Sequence, residues 1–209
     1  KQIFVRFAGC NLTCSFCDTP KKAVMKEMSA EEVLKKVKDL ERTKGEHHSV
    51  SLTGGEPLLY ADFLKEFLPK LKRSGFKIYL ETNGTLPEEL EKIIKYVDVV
   101  AMDFKLPSST AMPALWEEHA KFLRIARKKN VFVKAVVTDD TSEVDILKTM
   151  GLIKKVDRRI LLVLQPVTTK QGGISPVAGN RISGYLRLAG RDLENVRIIP
   201  QMHKVMGIR

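Results

Sequence analysis

The sequence has little cysteine: there are three in 209 residues, and all of them fall between positions 10 and 17. A disulfide-stabilised secreted domain needs cysteines spread along the chain, so the sequence excludes that class and indicates a reducing, cytoplasmic compartment. Long apolar runs are also absent. No run approaches the roughly 20 residues that cross a bilayer, so we expect no membrane segment.

We expect no signal peptide at the start of this sequence, because residues 1–7 have the apolar pattern of a strand. It also lacks an initial methionine, and we expect that residues upstream of Lys1 are missing. Hydrophobic residues make up 44% of the chain and charged residues 29%, which is typical of a globular protein. We expect a single domain over residues 1–209, which is long enough to bury a core.

The formal net charge is +11, which favours binding to nucleic acid, to an anionic membrane or to acidic small molecules. The basic residues are dispersed in short groups at 70–73, 127–129, 154–155 and 158–159. These groups lie near predicted helix ends, where cations suit the helix dipole. We therefore interpret the charge as a solvated surface, and expect a nucleic-acid partner only if one contiguous basic face forms.

Strand and helix patterns alternate about six times along the chain. Strands are predicted at 2–7, 48–53, 76–81, 97–103, 131–137, 160–165 and 196–199. Helices are predicted at 30–44, 62–74, from 87, at 114–129, 142–155 and 178–189, with a Pro/Ser-rich loop at 105–113. Pro69 is expected to kink or split its helix. Right-handed crossovers then give a parallel sheet, doubly wound or curled into a partial barrel, with ligands at the carboxyl ends of its strands.

Cys10, Cys14 and Cys17 have the spacing C-x3-C-x2-C. Three thiolates can hold three corners of an iron–sulfur cube and leave the fourth iron open to a small molecule. A cluster that only passes electrons is expected to have four cysteines. Zinc is the competing metal, but its structural sites have four ligands, and the histidines lie far along the chain. Three inert, buried cysteines are the remaining alternative.

Two motifs follow predicted strands. Gly54-Gly55-Glu56-Pro57 combines glycines, which permit a close backbone approach, with a carboxylate that can pair with an ammonium group. Glu81-Thr82-Asn83-Gly84 ends the third strand. Taken alone, each motif is an ordinary turn.

Polar residues also occur at or near the ends of later strands. Asp103 and Lys105 end the fourth strand, where a surface ion pair is the alternative. Lys134 is a charge inside the apolar fifth strand, so it lies at an edge or points at a site. Gln165-Pro166 ends the sixth strand.

The cysteine spacing and the order of these motifs resemble the radical S-adenosylmethionine (SAM) superfamily, and within it the 7-carboxy-7-deazaguanine synthases. The narrower resemblance rests on Asp18-Thr19, on 81–84, on Leu-Gln-Pro at 164–166 and on the tail Pro200-Gln201-Met202-His203-Lys204, where Met202 replaces the usual Thr. It implies a partial (βα)6 TIM-like barrel of the radical SAM type. These synthases often add an upstream Gly-Glu-Gly segment to the substrate pocket, and the chain starts after it.

The resemblance also implies the site residues, with no catalytic group beyond the cluster and SAM. The 4Fe–4S cluster is expected on Cys10, Cys14 and Cys17, and Mg²⁺ on Thr19. SAM is expected to contact Phe16, Gly54, Gly55, Glu56, Thr82, Asn83, Asp103, Lys105 and Gln165. The substrate is expected to contact Arg6, Gly55 and His203, because a basic pocket with Mg²⁺ suits an anionic pterin.

The implied activity is that of a lyase. A reduced cluster cleaves SAM to methionine and a 5′-deoxyadenosyl radical, which takes hydrogen from C6 of 6-carboxy-5,6,7,8-tetrahydropterin. The ring contracts, ammonia leaves and 7-carboxy-7-deazaguanine forms, in queuosine and 7-deazapurine biosynthesis, with SAM regenerated. The implied partners are the pterin, an electron donor of the flavodoxin or ferredoxin type, and a second copy in a homodimer.

Three alternatives stay open. Asp103-Phe104-Lys105 replaces the Ser-Pro-Lys of the synthases and resembles the Asp-Leu-Lys of glycyl-radical activating enzymes, which act on a protein partner. A radical SAM enzyme acting on tRNA would explain the net charge. A non-enzymatic zinc-binding module would contain zinc without sulfide.

Overall fold

The computed structural model describes residues 1–17, 26–168 and 173–202. Thr19 and His203, the predicted magnesium and substrate residues, lie outside them. One parallel seven-stranded sheet has the order β1-β2-β3-β4-β5-β6-β7. The strands are β1 Gln2–Phe7, β2 Ser49–Gly54, β3 Ile78–Thr82, β4 Val99–Phe104, β5 Asn130–Val137, β6 Leu161–Pro166 and β7 Val196–Ile198. Within the described residues, β1 and β7 are edges that do not pair, so the sheet stays open.

Helices connect successive strands. They are α1 Ala30–Lys44, α2 Ala61–Arg73, α3 Pro87–Ile93, α4 Pro107–Thr110, α5 Trp116–Ala126, α6 Glu143–Asp157 and α7 Pro176–Ala189, with 3₁₀ turns at Pro57–Tyr60 and Ile94–Tyr96. Six crossovers followed by β7 match the predicted alternation. In the described part of the chain, no helix is long and apolar enough to cross a membrane.

The two faces of the sheet differ in polarity. One face is covered by helices, and its side chains, such as Leu52, Leu80 and Met102, are fully buried in the core. Side chains alternate along a strand, so the intervening residues point to the opposite face, which we call the inner face. The register places charged residues of neighbouring strands side by side there, as for Asp103 and Lys134. The alternation therefore delivers polar groups to the interior of the open barrel.

Local sequence signals explain most helix ends. Ser29 caps α1 in a capping box with Glu32, as the sequence predicts, and Gly45 follows the last turn. Two details differ from the predictions. Helix α2 runs unbroken through Pro69, because the helix is anchored by buried residues on both sides of it. The predicted loop at 105–113 contains the single turn α4, which begins at Pro107, a favoured first helical residue.

Candidate functional site

The cysteine loop, residues 8–17, follows β1 and carries all three thiols. Cys10 and Cys17 are exposed and Cys14 is half-buried, and none of them is in a disulfide. The Leu12 amide lies 3.4 Å from the Cys10 sulfur, and the Cys17 amide donates to the Cys14 carbonyl at 3.1 Å. Burial raises the pKa of the Cys14 thiol, against the lowering effect of the nearby Lys105 ammonium.

Helix α4 holds the middle of this loop. The Ser15 amide donates to the Thr110 carbonyl at 3.0 Å, and the Ser15 hydroxyl donates to the Ser109 carbonyl at the same distance. The Met112 sulfur lies 3.4 Å from the Thr13 amide. The turn after β4 therefore fixes the loop that follows β1, a long-range contact with no signal in the sequence.

The carboxyl end of β2, which we call its exit, lies against the start of the cysteine loop, and the contact is made by backbone atoms on both sides. The Gly55 amide donates to the Phe7 carbonyl and the Glu56 amide to the Gly9 carbonyl, both at 2.9 Å. Gly54 has φ +124°, and a Cβ on Gly54 or Gly55 would collide with this backbone. Only glycine fits both positions, which is the close approach that the motif predicts.

Glu56 is fully buried, and its carboxylate already accepts three hydrogen bonds. Oε1 accepts from the Leu58 amide at 3.0 Å and from the Thr82 hydroxyl at 2.9 Å. Oε2 accepts from the Asn83 amide at 2.8 Å. Burial raises the pKa of Glu56, and these donors oppose the rise. The carboxylate thus joins the exits of β2 and β3.

Asn83 connects this network to the cysteine loop. Its side-chain Nδ2 donates to Asn11 Oδ1 at 2.8 Å and lies 3.8 Å from the Cys10 sulfur. Its Oδ1 accepts from the Thr85 hydroxyl at 2.6 Å, and this hydroxyl accepts from Asn11 Nδ2 at 2.9 Å. Sequence reasoning missed Asn11 and Thr85, since short polar residues in loops have no distinctive spacing.

Three charges meet on the inner face at β4 and β5. Asp103 Oδ2 lies 2.9 Å from Lys105 Nζ and 3.4 Å from Lys134 Nζ. The Asp103 and Lys105 side chains are only 16% and 13% exposed, which excludes the surface ion pair. Burial disfavours the Asp103 carboxylate, but the two lysines outweigh it and lower the pKa of Asp103. Lys105 Nζ also lies 5.4 Å from the Phe16 ring centroid, beside the cysteine loop.

Glu81 is the second carboxylate of the inner face, and sequence reasoning did not separate it from the rest of its motif. Its oxygens accept from the Ser51 hydroxyl at 3.1 Å and from the Thr53 hydroxyl at 3.3 Å. Strand alternation could have identified it, because Glu81 and Thr82 must point to opposite faces.

Arg6 and Gln165 are less integrated. Arg6 is exposed on edge strand β1, with its guanidinium 5.5 Å from the Phe4 ring centroid. Gln165 Nε2 lies 3.5 Å from the Pro200 carbonyl oxygen, at the start of the predicted tail motif. Among the described residues, neither side chain hydrogen-bonds to the network around Asn83.

The surroundings of the thiols suit the ligands of an iron–sulfur cube. In the described ranges, no three Cys, His, Asp or Glu side chains converge tightly enough to hold one metal ion. A cube binds its cysteines on three different irons, so it does not require convergence at one point. The Leu12 amide near the Cys10 sulfur and the Lys105 ammonium near Cys14 suit thiolate ligands, since hydrogen bonds and nearby positive charge stabilise sulfur anions.

Sequence comparisons place this site in a known family. A sequence model of the radical SAM superfamily matches residues 4–153. The 7-carboxy-7-deazaguanine synthase of Geobacter sulfurreducens is 40% identical over 99% of this chain and 90% of its own length. That of Archaeoglobus fulgidus is 35% identical over 100% of this chain and 91% of its own. The chain belongs to the 7-carboxy-7-deazaguanine synthase family of radical SAM proteins. Membership implies a 4Fe–4S cluster and SAM as cofactors.

Solved structures of low sequence identity share the fold. Streptococcus suis SuiB bound to its precursor peptide SuiA superposes with a TM-score of 0.68 and 19% identity, over 95% of this chain and 48% of SuiB. TYW1 with a lysine-pyruvate adduct gives 0.60 and 20% identity, over 92% of this chain and 73% of that chain. The predicted partial barrel of the radical SAM type is confirmed. The family match and the curated relatives do not favour the glycyl-radical, tRNA and zinc alternatives.

Proposed function

We propose that the protein converts 6-carboxy-5,6,7,8-tetrahydropterin to 7-carboxy-7-deazaguanine. The observation that carries this proposal is 40% identity to a synthase over 99% of the chain, which includes the cysteine loop and every strand exit of the site. When bound and reduced, the cluster and SAM supply a radical that removes one hydrogen atom from the substrate. The protein binds and orients the reactants and keeps water away from them.

Cys10, Cys14 and Cys17 are the proposed cluster ligands. The hydrogen bonds of Ser15 to α4 hold the loop that presents them. Fixing the loop before the cluster binds lowers the ordering cost of assembly. Lys105, next to Cys14, supplies positive charge beside the thiolates.

The proposed SAM site is the inner-face surface between the cysteine loop and the exits of β2, β3, β4 and β6. Its proposed members are Phe16, Gly54, Gly55, Asn83, Asp103, Lys105 and Gln165, together with the neighbouring carboxylate of Glu81. Thr82 is proposed to contribute its backbone, because its side chain points to the opposite face and donates to Glu56. Backbone carbonyls at the glycines are acceptors for an ammonium group. Lys105 and Lys134 are donors for a carboxylate.

Other parts of the proposal rest on the resemblance alone. They comprise Mg²⁺ on Thr19, and Arg6, Gly55 and His203 as substrate contacts. A flavodoxin or ferredoxin supplies electrons, the protein forms a homodimer, and it acts in the cytoplasm. Mg²⁺ prefers hard oxygen ligands, such as the Thr19 hydroxyl and the carboxylate of the pterin. A guanidinium group can bind the same carboxylate through two hydrogen bonds.

The test is a turnover assay on anaerobically reconstituted protein with SAM, Mg²⁺ and 6-carboxytetrahydropterin. We expect 7-carboxy-7-deazaguanine with SAM regenerated, and a loss of at least about 100-fold in Cys14→Ser, because the cluster then lacks a ligand. His203→Ala is expected to lose product, and Met202→Thr is the matched control that keeps it. SAM cleavage without any pterin product would contradict the proposed substrate.

A further inference from the structure

The turn after β3, residues 82–85, is held from two sides by buried side chains. Glu56 binds it from the exit of β2, through the Thr82 hydroxyl and the Asn83 amide. His119, which is 0% exposed on α5, lies 3.1 Å through Nε2 from the Asn83 carbonyl oxygen.

From these contacts we propose that Glu56 and His119 are positioning residues, which fix Asn83 against the cysteine loop and do not contact SAM. The inference rests on the proposed cluster and SAM sites. Its decisive measurement is made without SAM, so it can fail while the proposed function stands.

The chemistry of Glu56 supports this role. An ammonium group binds a carboxylate oxygen that it can reach, and the Glu56 side chain has no exposed surface. Each of its two oxygens accepts one backbone amide, from Leu58 and from Asn83. Oε1 already accepts two hydrogen bonds and Oε2 one, and a ligand that displaced the Leu58 or the Asn83 amide would leave a buried amide unpaired, which costs free energy.

The chemistry of His119 supports the same role. Its ring stacks on Phe104, with centroids 4.4 Å apart, and packs under Gly84. Nε2 must carry the proton in order to donate to the Asn83 carbonyl, and Nδ1 then has no partner among the described residues. Phenylalanine would fill this space without an unpaired nitrogen. What histidine adds is the contact of Nε2 with the Asn83 carbonyl at 3.1 Å, which is shorter than the 3.5 Å from the same nitrogen to the Lys105 amide.

The consequence lies in the cysteine loop. Asn83 holds Asn11 through a 2.8 Å hydrogen bond and contacts the Cys10 sulfur. If the Asn83 backbone shifts, its side-chain amide no longer reaches both. The two positioning residues therefore act on the cluster through Asn83.

The first experiment compares Glu56→Gln with Glu81→Gln in the reconstituted, SAM-free protein. A carboxamide has one oxygen, so either orientation of the substituted side chain leaves the Leu58 or the Asn83 amide unpaired. The partners of Glu81 are hydroxyls, which can accept as well as donate. We expect Glu56→Gln to lower the SAM-free Tm by about 3–10 °C and Glu81→Gln by less than about 2 °C. Saturating SAM should still raise the Tm of Glu56→Gln as it does in the wild type.

The second experiment uses His119→Phe, with His48→Phe on the surface as its control. The substitution removes the hydrogen bond to the Asn83 carbonyl, which lowers stability, and the unpaired Nδ1, which raises it. These two effects on the free energy of unfolding should nearly cancel, so the Tm should change little. The cluster should nevertheless be lost to a chelator about 3- to 10-fold faster, because Asn83 is less firmly held. A purely structural role would change the Tm and leave the cluster unaffected.

Two results would overturn the proposal. One is a Glu56→Gln protein with the wild-type SAM-free Tm and no SAM-induced rise, which would make Glu56 a direct SAM ligand. The other is wild-type cluster retention in His119→Phe. If Glu56→Gln does not fold, the His119→Phe result decides the question.

Discussion

At the scale of single residues, the same side chain does different things at neighbouring strand exits. Glu56 is fully buried and bonded to backbone amides, whereas Glu81 is half-buried on the inner face and bonded to hydroxyls. Asp103 stays charged because two lysines lie beside it. Burial and partners, rather than residue type, decide which carboxylate is available to a ligand.

We expect the buried His119 to make the stability of the protein depend on pH. Burial lowers the pKa of His119 to about 4, with Lys105 adding to this effect and Asn83 and Asp103 opposing it. The unfolded histidine has its ordinary value near 6.5, so between these values the unfolded state binds the extra proton. Stability must therefore fall as the pH drops, by about 1.5 kcal/mol at pH 5.5 and about 3 kcal/mol at pH 4.

Denaturant unfolding of wild-type protein and His119→Phe at pH 7.5 and 5.5 measures this contribution. Between pH 7.5 and pH 5.5, we expect the free energy of unfolding of the wild type to fall by about 1.5 kcal/mol more than that of His119→Phe. His48→Gln, on the surface, should behave as the wild type. Equal losses in wild type and His119→Phe would mean that the buried ring is not neutral.

At the scale of elements, prolines act according to their position. Pro87 and Pro107 begin α3 and α4, where a missing amide proton costs nothing. Pro69 lies inside α2, where it cannot donate to the carbonyl of Lys65. Burial of Leu64, Phe67 and Leu71 keeps this helix in place, so packing overrides the local signal.

Pro69→Ala should stabilise the protein. Alanine restores the helical hydrogen bond, and the greater freedom of the unfolded chain offsets part of the gain. We expect about 1 kcal/mol, or a rise in Tm of about 2–4 °C by calorimetry. Pro87→Ala is the matched control and should lower the Tm, because that proline is buried at a favoured position. A lower Tm in Pro69→Ala would show that its ring packing outweighs the lost bond.

At the scale of the whole molecule, the net charge of +11 does not gather in the site. Many cations pair with acidic residues on the outer helices and turns, as Lys72 does with Asp98 at 2.9 Å and Arg158 with Glu194 at 3.0 Å. The inner face instead mixes the carboxylates of Glu81 and Asp103 with lysines. Such a distribution favours a small charged ligand over a polyanion.

This distribution predicts weak, unspecific binding of nucleic acid. With tRNA in roughly 150 mM salt, fluorescence anisotropy should give a Kd above about 10 μM, and the affinity should fall steeply with added salt. An RNA of random sequence and equal length serves as the control and should bind equally well. Tight binding that prefers tRNA at this salt concentration would support the tRNA alternative.

The sequence by itself determined the order and approximate ends of the strands, most helix boundaries and the cysteine spacing. These features depend on local periodicity, caps and turns, which neighbouring residues specify. It also predicted which strand exits carry polar groups. It did not predict α4, the unbroken α2, or the positions of Asn11, Glu81 and His119. These depend on contacts between residues far apart in the chain, which only the tertiary structure decides. For Glu56, the sequence supplied a carboxylate at a strand exit, and the closed packing of two exits decided that the protein's own amides occupy it.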